Sequence, residues 1–328
     1  MKLTPQAAKA FAARFQRLRA HPKTKRALIA AQWILLALVV SYLFWRLTHI
    51  GWGAVLDNLP ASPWFYILLG LKFLTLPVAE MIAYQIIWRR PMLAHFPAFV
   101  RKRVYNNGVA GYSGEAFLAL WARRHLGLSD LDAVVSVKDG NILSAFSANV
   151  TTIALIAWLA STGTLARAVD AVPGGPALFA IAFILAVCVA AGVIIFRRRI
   201  VSLPWAETRA IVGVHAVRQI AQIAIYAAIY AAALPATPIA VWISFVALQY
   251  VITRIPFLPN QELVYLTAAL SLGSIVGATE EAVAGMLLAE AGLLQAVYFL
   301  LFFATAHLAR TVPRANAASP APSLNDEP

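Results

Sequence analysis

Five polar side chains lie at helical spacing in the otherwise apolar stretch 209–234. They are His215, Arg218, Gln219, Gln222 and Tyr226. Their offsets from His215, of three, four, seven and eleven residues, place all five on one face of an α-helix. Such a face lines an interior cavity, or it joins helices through hydrogen bonds. Arg218 favours the cavity, because its guanidinium needs an anionic partner, either a carboxylate or a lipid phosphate.

The apolar stretch 63–88 carries a lysine and a glutamate. Lys72 and Glu80 are eight residues apart, about two turns, and therefore lie on a similar face. Pro77 lies between them, and a proline within a helix causes a kink and frees a carbonyl. A charge at the bilayer centre costs about 2.5–3.5 kcal/mol on insertion scales, so both charges are candidates for a functional role. Glu80 has a second interpretation, as a satisfied carboxylate near the cytoplasmic end of the helix.

A second pair of charges opens the apolar stretch 134–160. Lys138 and Asp139 are neighbours in sequence. Neighbouring residues of a helix point about 100° apart, so we expect these two side chains not to pair with each other. Their candidate partners lie elsewhere in the chain: Glu115, Glu262 and Arg218.

The composition requires a membrane to bury these elements. Of 328 residues, 61% are hydrophobic and 12% are charged, and the mean hydropathy is +0.74. Soluble domains average about 45–50% apolar and about 25% charged residues, so a soluble enzyme is excluded. A run of about 20 apolar residues spans a bilayer. We predict an all-α, polytopic transmembrane bundle with seven spans: 27–46, 63–88, 134–160, 177–196, 209–234, 239–254 and 279–309.

The net charge of +13 is concentrated near the ends of the predicted helices. Eight Lys/Arg and no acidic residue lie in 1–26, and further clusters lie at 89–103 and 197–199. This distribution follows the positive-inside rule and argues against a nucleic-acid partner. We predict a cytoplasmic N-terminus with a basic amphipathic segment at 1–26, and a disordered tail at 311–328. Three loops poor in Lys and Arg are predicted to lie outside: 47–62, 161–176 and 235–238.

Two interrupted stretches, 105–127 and 256–277, fit none of these spans. Each carries a carboxylate beside glycine or proline breaks, Glu115 in the first and Glu262 in the second. Irregular backbone at membrane depth must be satisfied by protein or by a watery cavity, so we predict two re-entrant hairpins. Their similar sequences suggest an internal repeat, which points to a transporter binding site. By the span count both hairpins enter from the same side. The repeat is therefore parallel, or else one span is miscounted and the repeat is inverted.

Signatures of catalysis and of metal binding are missing from the sequence. No GxxxxGK, HExxH or GxSxG motif occurs, and no Cys/His cluster has zinc spacing. The single cysteine, Cys188, lies in an apolar run and permits no disulfide within the chain. We therefore expect a protein that is not an enzyme and that needs no cofactor or metal.

The segment NGVAGYSGEAFLAL, residues 107–120, is followed by Arg123-Arg124 and then by Gly127-Leu128-Ser129. It resembles the Gly-Glu hairpin of the lysylphosphatidylglycerol synthase transmembrane-domain family, a flippase-like family of bacterial membrane proteins. A second family segment, rich in Pro and Gly and ending in Glu, is matched here by Pro256, Pro259 and Glu262.

The resemblance covers roughly residues 30–310, although only the two Glu segments are specific. The chain departs from the family at Asn260-Gln261, where glycines are usual, and at Lys138-Asp139, where an arginine follows the first hairpin. The family implies lipid translocation or lipid handling across the inner membrane. No synthase domain follows, so lipid synthesis is not implied.

The resulting expectation is a bacterial inner-membrane protein, whose transmembrane domain is 27–310, that binds and flips an anionic phospholipid or a polyprenyl-phosphate-type lipid. Arg218 and Lys138 meet the phosphate, Glu115 and Glu262 lie on the hairpins, and Glu80 and Asp139 balance charge or carry a proton. The remaining candidate binding residues line the cavity: His215, Gln219 and Gln222. Two alternatives stay open: a membrane enzyme that uses a lipid-linked donor, and a scaffold for a lipid-modifying partner protein.

Overall fold

The computed structural model describes residues 52–108, 112–170, 174–255, 261–271 and 279–306, together with Ser41, Trp45 and Thr48. Within these ranges every regular element is helical, and no strand occurs. The α-helices, in chain order, are α1 (Trp52–Asp57), α2 (Pro63–Trp88), α3 (Phe96–Gly108), α4 (Ser113–Leu126), α5 (Asp130–Ser161), α6 (Leu165–Asp170), α7 (Gly175–Ile200), α8 (Trp205–Ala233), α9 (Ile239–Ile252), α10 (Gln261–Ser271) and α11 (Glu280–Ala304). A 3-10 turn, Leu93–His95, precedes α3. The predicted segments 1–26 and 311–328 lie outside the described residues, as does span 27–46 apart from Ser41 and Trp45.

Five helices, α2, α5, α7, α8 and α11, are long and apolar enough to cross a membrane. They are 25 to 32 residues long, or about 38–48 Å at 1.5 Å per residue, which exceeds the hydrocarbon thickness of about 30 Å. The class predicted from sequence, an all-α membrane protein, is therefore confirmed, and so is a helix at five of the seven predicted spans. The bounds of α2 coincide with the predicted stretch 63–88.

The helix at the predicted span 239–254 is shorter than predicted and is not among the five helices long enough to cross. The helix α9 has 14 residues, or about 21 Å, which is less than the hydrocarbon thickness of about 30 Å. Its composition is that of a span, yet most of its side chains pack within the protein. Eight of its residues are buried: Trp242, Phe245, Val246, Ala247, Leu248, Tyr250, Val251 and Ile252.

Two pairs of short helices interrupt the series of long ones. The helices α3 and α4 pack against each other, and we call them the first helix pair. This pair occupies 96–126, whereas the sequence predicted a hairpin at 105–127, so its first arm begins earlier than expected. The helices α9 and α10 also pack together and form the second helix pair. Half of the predicted hairpin 256–277 falls outside the described residues, and the other half is α10.

The chain divides into two compact units, and each long helix contributes residues to both. The first unit contains 149–190, 226–291 and the residues up to 66. The second contains 67–148, 191–225 and the residues from 292 onward. The Lys/Arg-poor connections that the sequence places outside therefore belong to the first unit, and the first helix pair belongs to the second.

An aromatic core in the second unit joins α2 to the first helix pair. Tyr84 and Trp88 of α2 pack with Phe99 of α3 and with Phe117 and Trp121 of α4. The ring centroids of Tyr84 and Trp88 are 4.6 Å apart, and those of Trp88 and Trp121 are 6.3 Å apart. Fully burying one such side chain contributes about 1.5–3 kcal/mol, so this cluster fixes the position of the pair.

A glycine sets the distance within the first helix pair. A Cβ atom on Gly114 would lie 2.1 Å from the carbonyl oxygen of Lys102, so no other residue fits there without movement of the backbone. A hydrogen bond also joins the two helices at this point: the backbone N–H of Gly114 donates to Oδ1 of Asn106 at 2.8 Å. The pair ends at Gly127, whose φ of 67° lies in the left-handed region, and Ser129 then caps α5 by accepting the N–H of Asp132.

The core of the first unit is built around Tyr230 of α8. Its hydroxyl lies 2.8 Å from that of Tyr265 in α10, and its ring packs 5.4 Å from Trp242 of α9. Phe245 of α9 packs against both Tyr230 and Trp242. The second helix pair is thus attached to α8 by aromatic contacts.

Candidate functional site

Three consecutive cations of α3 are buried in the second unit. Arg101, Lys102 and Arg103 are 2%, 2% and 8% exposed. The sequence places them in a basic cluster that follows the preceding helix, and the structure places these three inside α3. Because α3 packs on α4 and beside α2, all sides of this helix meet protein. Successive residues point about 100° apart, so each cation meets a different part of the unit.

Lys102 links two glutamates from two other helices, and we call these three residues the Lys102 triad. Its Nζ atom donates to Oε1 of Glu80 in α2 and lies 3.3 Å from Oε1 of Glu115 in α4. Asn106 also donates to Glu115 Oε1, at 3.0 Å. In the part of the chain that the structure describes, the second oxygen of each glutamate is buried and accepts no hydrogen bond. The triad is therefore compact and carries an excess negative charge.

The electrostatics of the triad keep Lys102 charged. Burial alone would lower the pKa of its ammonium group, but the attraction of Glu80, followed by Tyr84 and Glu115, outweighs burial and raises that pKa above its usual value. Lys102 therefore carries its positive charge at any physiological pH.

Arg103 satisfies the carbonyl that Pro77 frees. Pro77 has no N–H, so the carbonyl of Phe73, four residues earlier, lacks its helical donor. Nη1 of Arg103 donates to that carbonyl at 2.9 Å, and the guanidinium lies 4.9 Å from the centre of the Phe73 ring. Its Nε lies 3.5 Å from the hydroxyl of Tyr298 in α11. The carbonyl that Pro77 leaves without a helical donor thus has a specific donor on another helix.

Arg101 reaches the end of α11. Its Nη1 donates to the carbonyl of Phe302 at 3.1 Å and to the hydroxyl of Thr305 at 2.9 Å. Its Nη2 donates to the hydroxyl of Tyr105 at 2.7 Å, and the guanidinium lies 4.6 Å from the centre of that ring. Every hydrogen-bond acceptor that the described residues offer to Arg101 or Arg103 is uncharged.

The polar face predicted on α8 is its buried face. His215 and Gln219 are 1% and 2% exposed, whereas Val217 and Ile220 on the other side are each 68% exposed. Arg218 donates to Oε1 of Gln222 at 3.2 Å. The charge of Arg218 and, to a smaller extent, that of Lys102 act on His215. From the sequence, Glu115 or Glu262 is expected near Arg218. The ion pair of Glu115 is with Lys102, and the side chain of Glu262 lies outside the described residues.

Lys138 and Asp139 form an ion pair, contrary to the prediction. Lys138 Nζ lies 2.9 Å from Asp139 Oδ1. The prediction considered only the directions of the Cβ atoms, but the long lysine side chain folds back toward its neighbour. Both residues also hold the connection after α7: Lys138 donates to the carbonyl of Ile200 at 2.7 Å, and Asp139 accepts the N–H of Ser202 at 2.9 Å. Their observed contacts are with this connection and not with the triad.

The structure therefore brings together some predicted site residues and separates others. Glu80 and Glu115 meet through Lys102, which the sequence places only in the basic cluster at 89–103. Glu262 lies in α10 of the first unit, and its side chain is outside the described residues. One sequence signal could have revealed the buried cations: they lie between the end of α2 and the glycine-rich break, directly before the segment that resembles a hairpin.

Cations outnumber carboxylates in the interior of the second unit. Its buried charged side chains are Lys72, Glu80, Arg101, Lys102, Arg103 and Asp139. Four are cations and two are carboxylates, and the partly buried Glu115 and Arg218 add one of each sign. No group of three or more His, Cys, Asp or Glu residues suited to a metal ion occurs within the described ranges. This interior is suited to attracting an anion.

Comparisons of the chain with family models, with curated proteins and with solved structures find no match.

Proposed function

We propose that this protein is a membrane lipid transporter of the flippase type, which binds the phosphate of an anionic lipid among the buried cations of the second unit. One observation carries the proposal: Arg101 and Arg103 are buried guanidinium groups whose described hydrogen-bond acceptors are all uncharged. A phosphate offers these guanidinium groups a negative charge and paired oxygens that match their planar fork, which the present carbonyls and hydroxyls lack, so it competes well for these donors.

The donor capacity of these arginines supports this assignment. A guanidinium has five N–H donors in a planar fork that matches phosphate oxygens. Among the described residues, the buried Nε of Arg101 has no acceptor. Because the described acceptors of Arg101 and Arg103 are carbonyls and hydroxyls, a phosphate binds at such a site without displacing a carboxylate. The site that the sequence assigned to Arg218 and Lys138 is thus extended to the cations of α3.

The glutamates of the triad provide a means of release. With Lys102 held between Glu80 and Glu115, the local charge is negative and repels a phosphate that approaches the triad itself. Protonation of one glutamate, or movement of Lys102 toward the ligand, weakens the repulsion between the triad and the phosphate. The triad therefore sets the strength of anion binding at the neighbouring arginines.

A span count that leaves out α9 supports an inverted repeat. Because α9 is too short to cross, three long helices, α5, α7 and α8, separate the first helix pair from the second. An odd number of spans places the two pairs on opposite sides of the bilayer, where four spans would have placed them on the same side. The repeating unit is then a long helix, a helix pair and a second long helix. Inverted repeats of this kind place the substrate near the midplane of the membrane.

The same count assigns a topology. If 27–46 spans the membrane from a cytoplasmic N-terminus, the Lys/Arg-poor connections of the first unit lie outside and the C-terminus is cytoplasmic. The resemblance to the flippase-like family of lysylphosphatidylglycerol synthase transmembrane domains supports the bacterial inner membrane as the location.

The test is lipid translocation by purified protein in vesicles, with a head-labelled phosphatidylglycerol whose outer-leaflet label is reduced chemically. The variants are Arg101→Gln and Arg103→Gln, and we expect each to lower the translocation rate at least tenfold at equal amounts of folded protein, since a charged hydrogen bond contributes about 1.5–3 kcal/mol. Arg123→Gln is the matched control, because Arg123 pairs with Asp130 on the surface of the same helix pair. Wild-type rates for both buried variants would refute the proposal.

A further inference from the structure

A cavity of about 250 Å³ lies in the second unit, beside the connection between α7 and α8. Its walls come from α5, α7 and α8 and are largely apolar, with Leu143, Val193 and Val212 among the lining residues. No residue of the Lys102 triad lines it. The cavity is therefore a feature separate from the candidate site described above.

One end of the cavity is cationic and aromatic. Trp205 lies there between two arginines, with Arg197 at 4.7 Å and Arg209 at 5.8 Å from its ring. Both arginines line the cavity. Over the part of the chain that is described, neither has a carboxylate within ion-pair distance, and the buried Nε of Arg197 has no acceptor. This end of the cavity is suited to a negatively charged group.

The connection beside the cavity is held in place by hydrogen bonds. Nη2 of Arg197 donates to the carbonyl of Leu203 at 2.9 Å and to the hydroxyl of Thr208 at 3.0 Å. Asp139, which is fully buried, accepts from the backbone and from the hydroxyl of Ser202. Since the connection is already ordered, a ligand binds there without the entropic cost of ordering it.

The cavity opens where apolar surface gives way to charge. The helix α7 is long and apolar enough to span a membrane, and its exposed residues Ile194, Ile195 and Phe196 come directly before the arginines that begin at Arg197. Trp205 is 57% exposed. Exposed apolar residues followed by arginine and tryptophan mark the boundary between hydrocarbon and headgroups.

We propose that this cavity holds one anionic phospholipid of the surrounding bilayer, as a resident lipid and not as the transported one. An acyl chain lies against the apolar wall, and the phosphate meets Arg197 and Arg209 beside Trp205. Charge complementarity selects the occupant, because each Lys or Arg near an anionic bilayer surface favours binding by about a factor of five. This assignment does not depend on translocation through the interior.

The test uses delipidated protein in detergent, titrated with phosphatidylglycerol or with phosphatidylcholine of the same chains, with bound lipid counted by native mass spectrometry. We expect one phosphatidylglycerol to bind in preference to phosphatidylcholine. Arg209→Gln, on an exposed position that leaves the fold intact, should weaken that binding about fivefold. Val193→Trp, which fills the cavity without changing the charge, should weaken the binding of both lipids.

Arg198→Gln is the matched control, because it removes the same charge from the adjacent cluster but does not line the cavity. Equal losses for Arg198→Gln and Arg209→Gln would show attraction by surface charge alone and overturn the proposal. Equal binding of the two lipids, or full binding by Val193→Trp, would also overturn it. Arg101→Gln should keep the preference for phosphatidylglycerol even where it abolishes translocation, which separates this proposal from the proposed function.

Discussion

Replacement of Lys102 by methionine leaves two glutamates facing each other without their cation. Lys102 is 2% exposed, and Glu80 is also buried, so water cannot replace the lost contacts. Removal of one partner from a buried ion pair typically costs about 3–5 kcal/mol. We therefore expect Lys102→Met to lower the free energy of unfolding by about this amount at neutral pH.

The loss of unfolding free energy that Lys102→Met causes should depend on pH. Protonating a carboxylate with the ordinary glutamate pKa of about 4.3 costs about 3.7 kcal/mol at pH 7 and about 1 kcal/mol at pH 5. A folded protein that lacks Lys102 relieves the repulsion by taking up a proton, so its deficit relative to wild type should shrink as the pH falls. An uncharged triad, made by Lys102→Met with Glu80→Gln and Glu115→Gln, should recover most of the lost stability.

The assay is equilibrium unfolding in micelles of increasing dodecyl sulfate content, followed by tryptophan fluorescence. Trp88 and Trp121, two of the nine tryptophans, lie in the aromatic core beside the triad, so part of the signal reports on this unit. Arg123→Met is the control, because the exposed pair of Arg123 with Asp130 contributes about 1 kcal/mol at most. The reasoning fails if Lys102→Met is as stable as this control, or if the uncharged triad is no more stable than Lys102→Met alone.

Three further predictions follow from the same features. Gly114→Ala should destabilise the protein by about 1–3 kcal/mol in the same unfolding assay, because the new methyl meets the Lys102 carbonyl, whereas Gly213→Ala, with nothing within 4 Å, should stabilise it slightly. Protease digestion of terminal tags in oriented vesicles should find both termini on one side; tags on opposite sides would contradict the span count. Because the pKa of Lys102 is raised in the folded protein, its stabilising charge is fully present below the pKa of an unfolded lysine and is lost only as the pH rises through the folded value. The difference in unfolding free energy between wild type and the uncharged triad should therefore be equal at about pH 7 and pH 9.

The long helices could be predicted from sequence because the length of an apolar run is a local property of the chain. The stretch 63–88 gave α2 with its ends correct, and the spacing around His215 gave the buried face of α8. The predicted span 239–254 shows the limit of composition, because a helix packed largely in protein has the composition of a helix packed in lipid. Only its length of 14 residues distinguishes the two.

The site was only partly predictable, because its contacts join helices that are distant in sequence. Pro77 indicated a free carbonyl, but no local pattern identifies Arg103 as its donor, since that contact depends on where α3 lies. Glu80 and Glu115 were candidates from their positions. Lys102, the cation between them, belongs to a basic cluster in which composition does not distinguish buried from exposed residues. The pairing of Lys138 with Asp139 depends on side-chain conformation, which sequence spacing does not determine.

The close contact at Gly114 has a mechanical consequence. Because the backbones of α3 and α4 touch where even one methyl group does not fit, these helices cannot slide past each other, and any displacement of the first helix pair is that of a rigid body. Arg89, with a φ of 52°, precedes the pair, and Gly127, with a φ of 67°, follows it, so both ends have a backbone turn outside the helical region. A rotation of the pair about these two turns would carry Lys102 and Glu115 together relative to Glu80. It would open the contact of Lys102 with Glu80 and keep the contact with Glu115 closed.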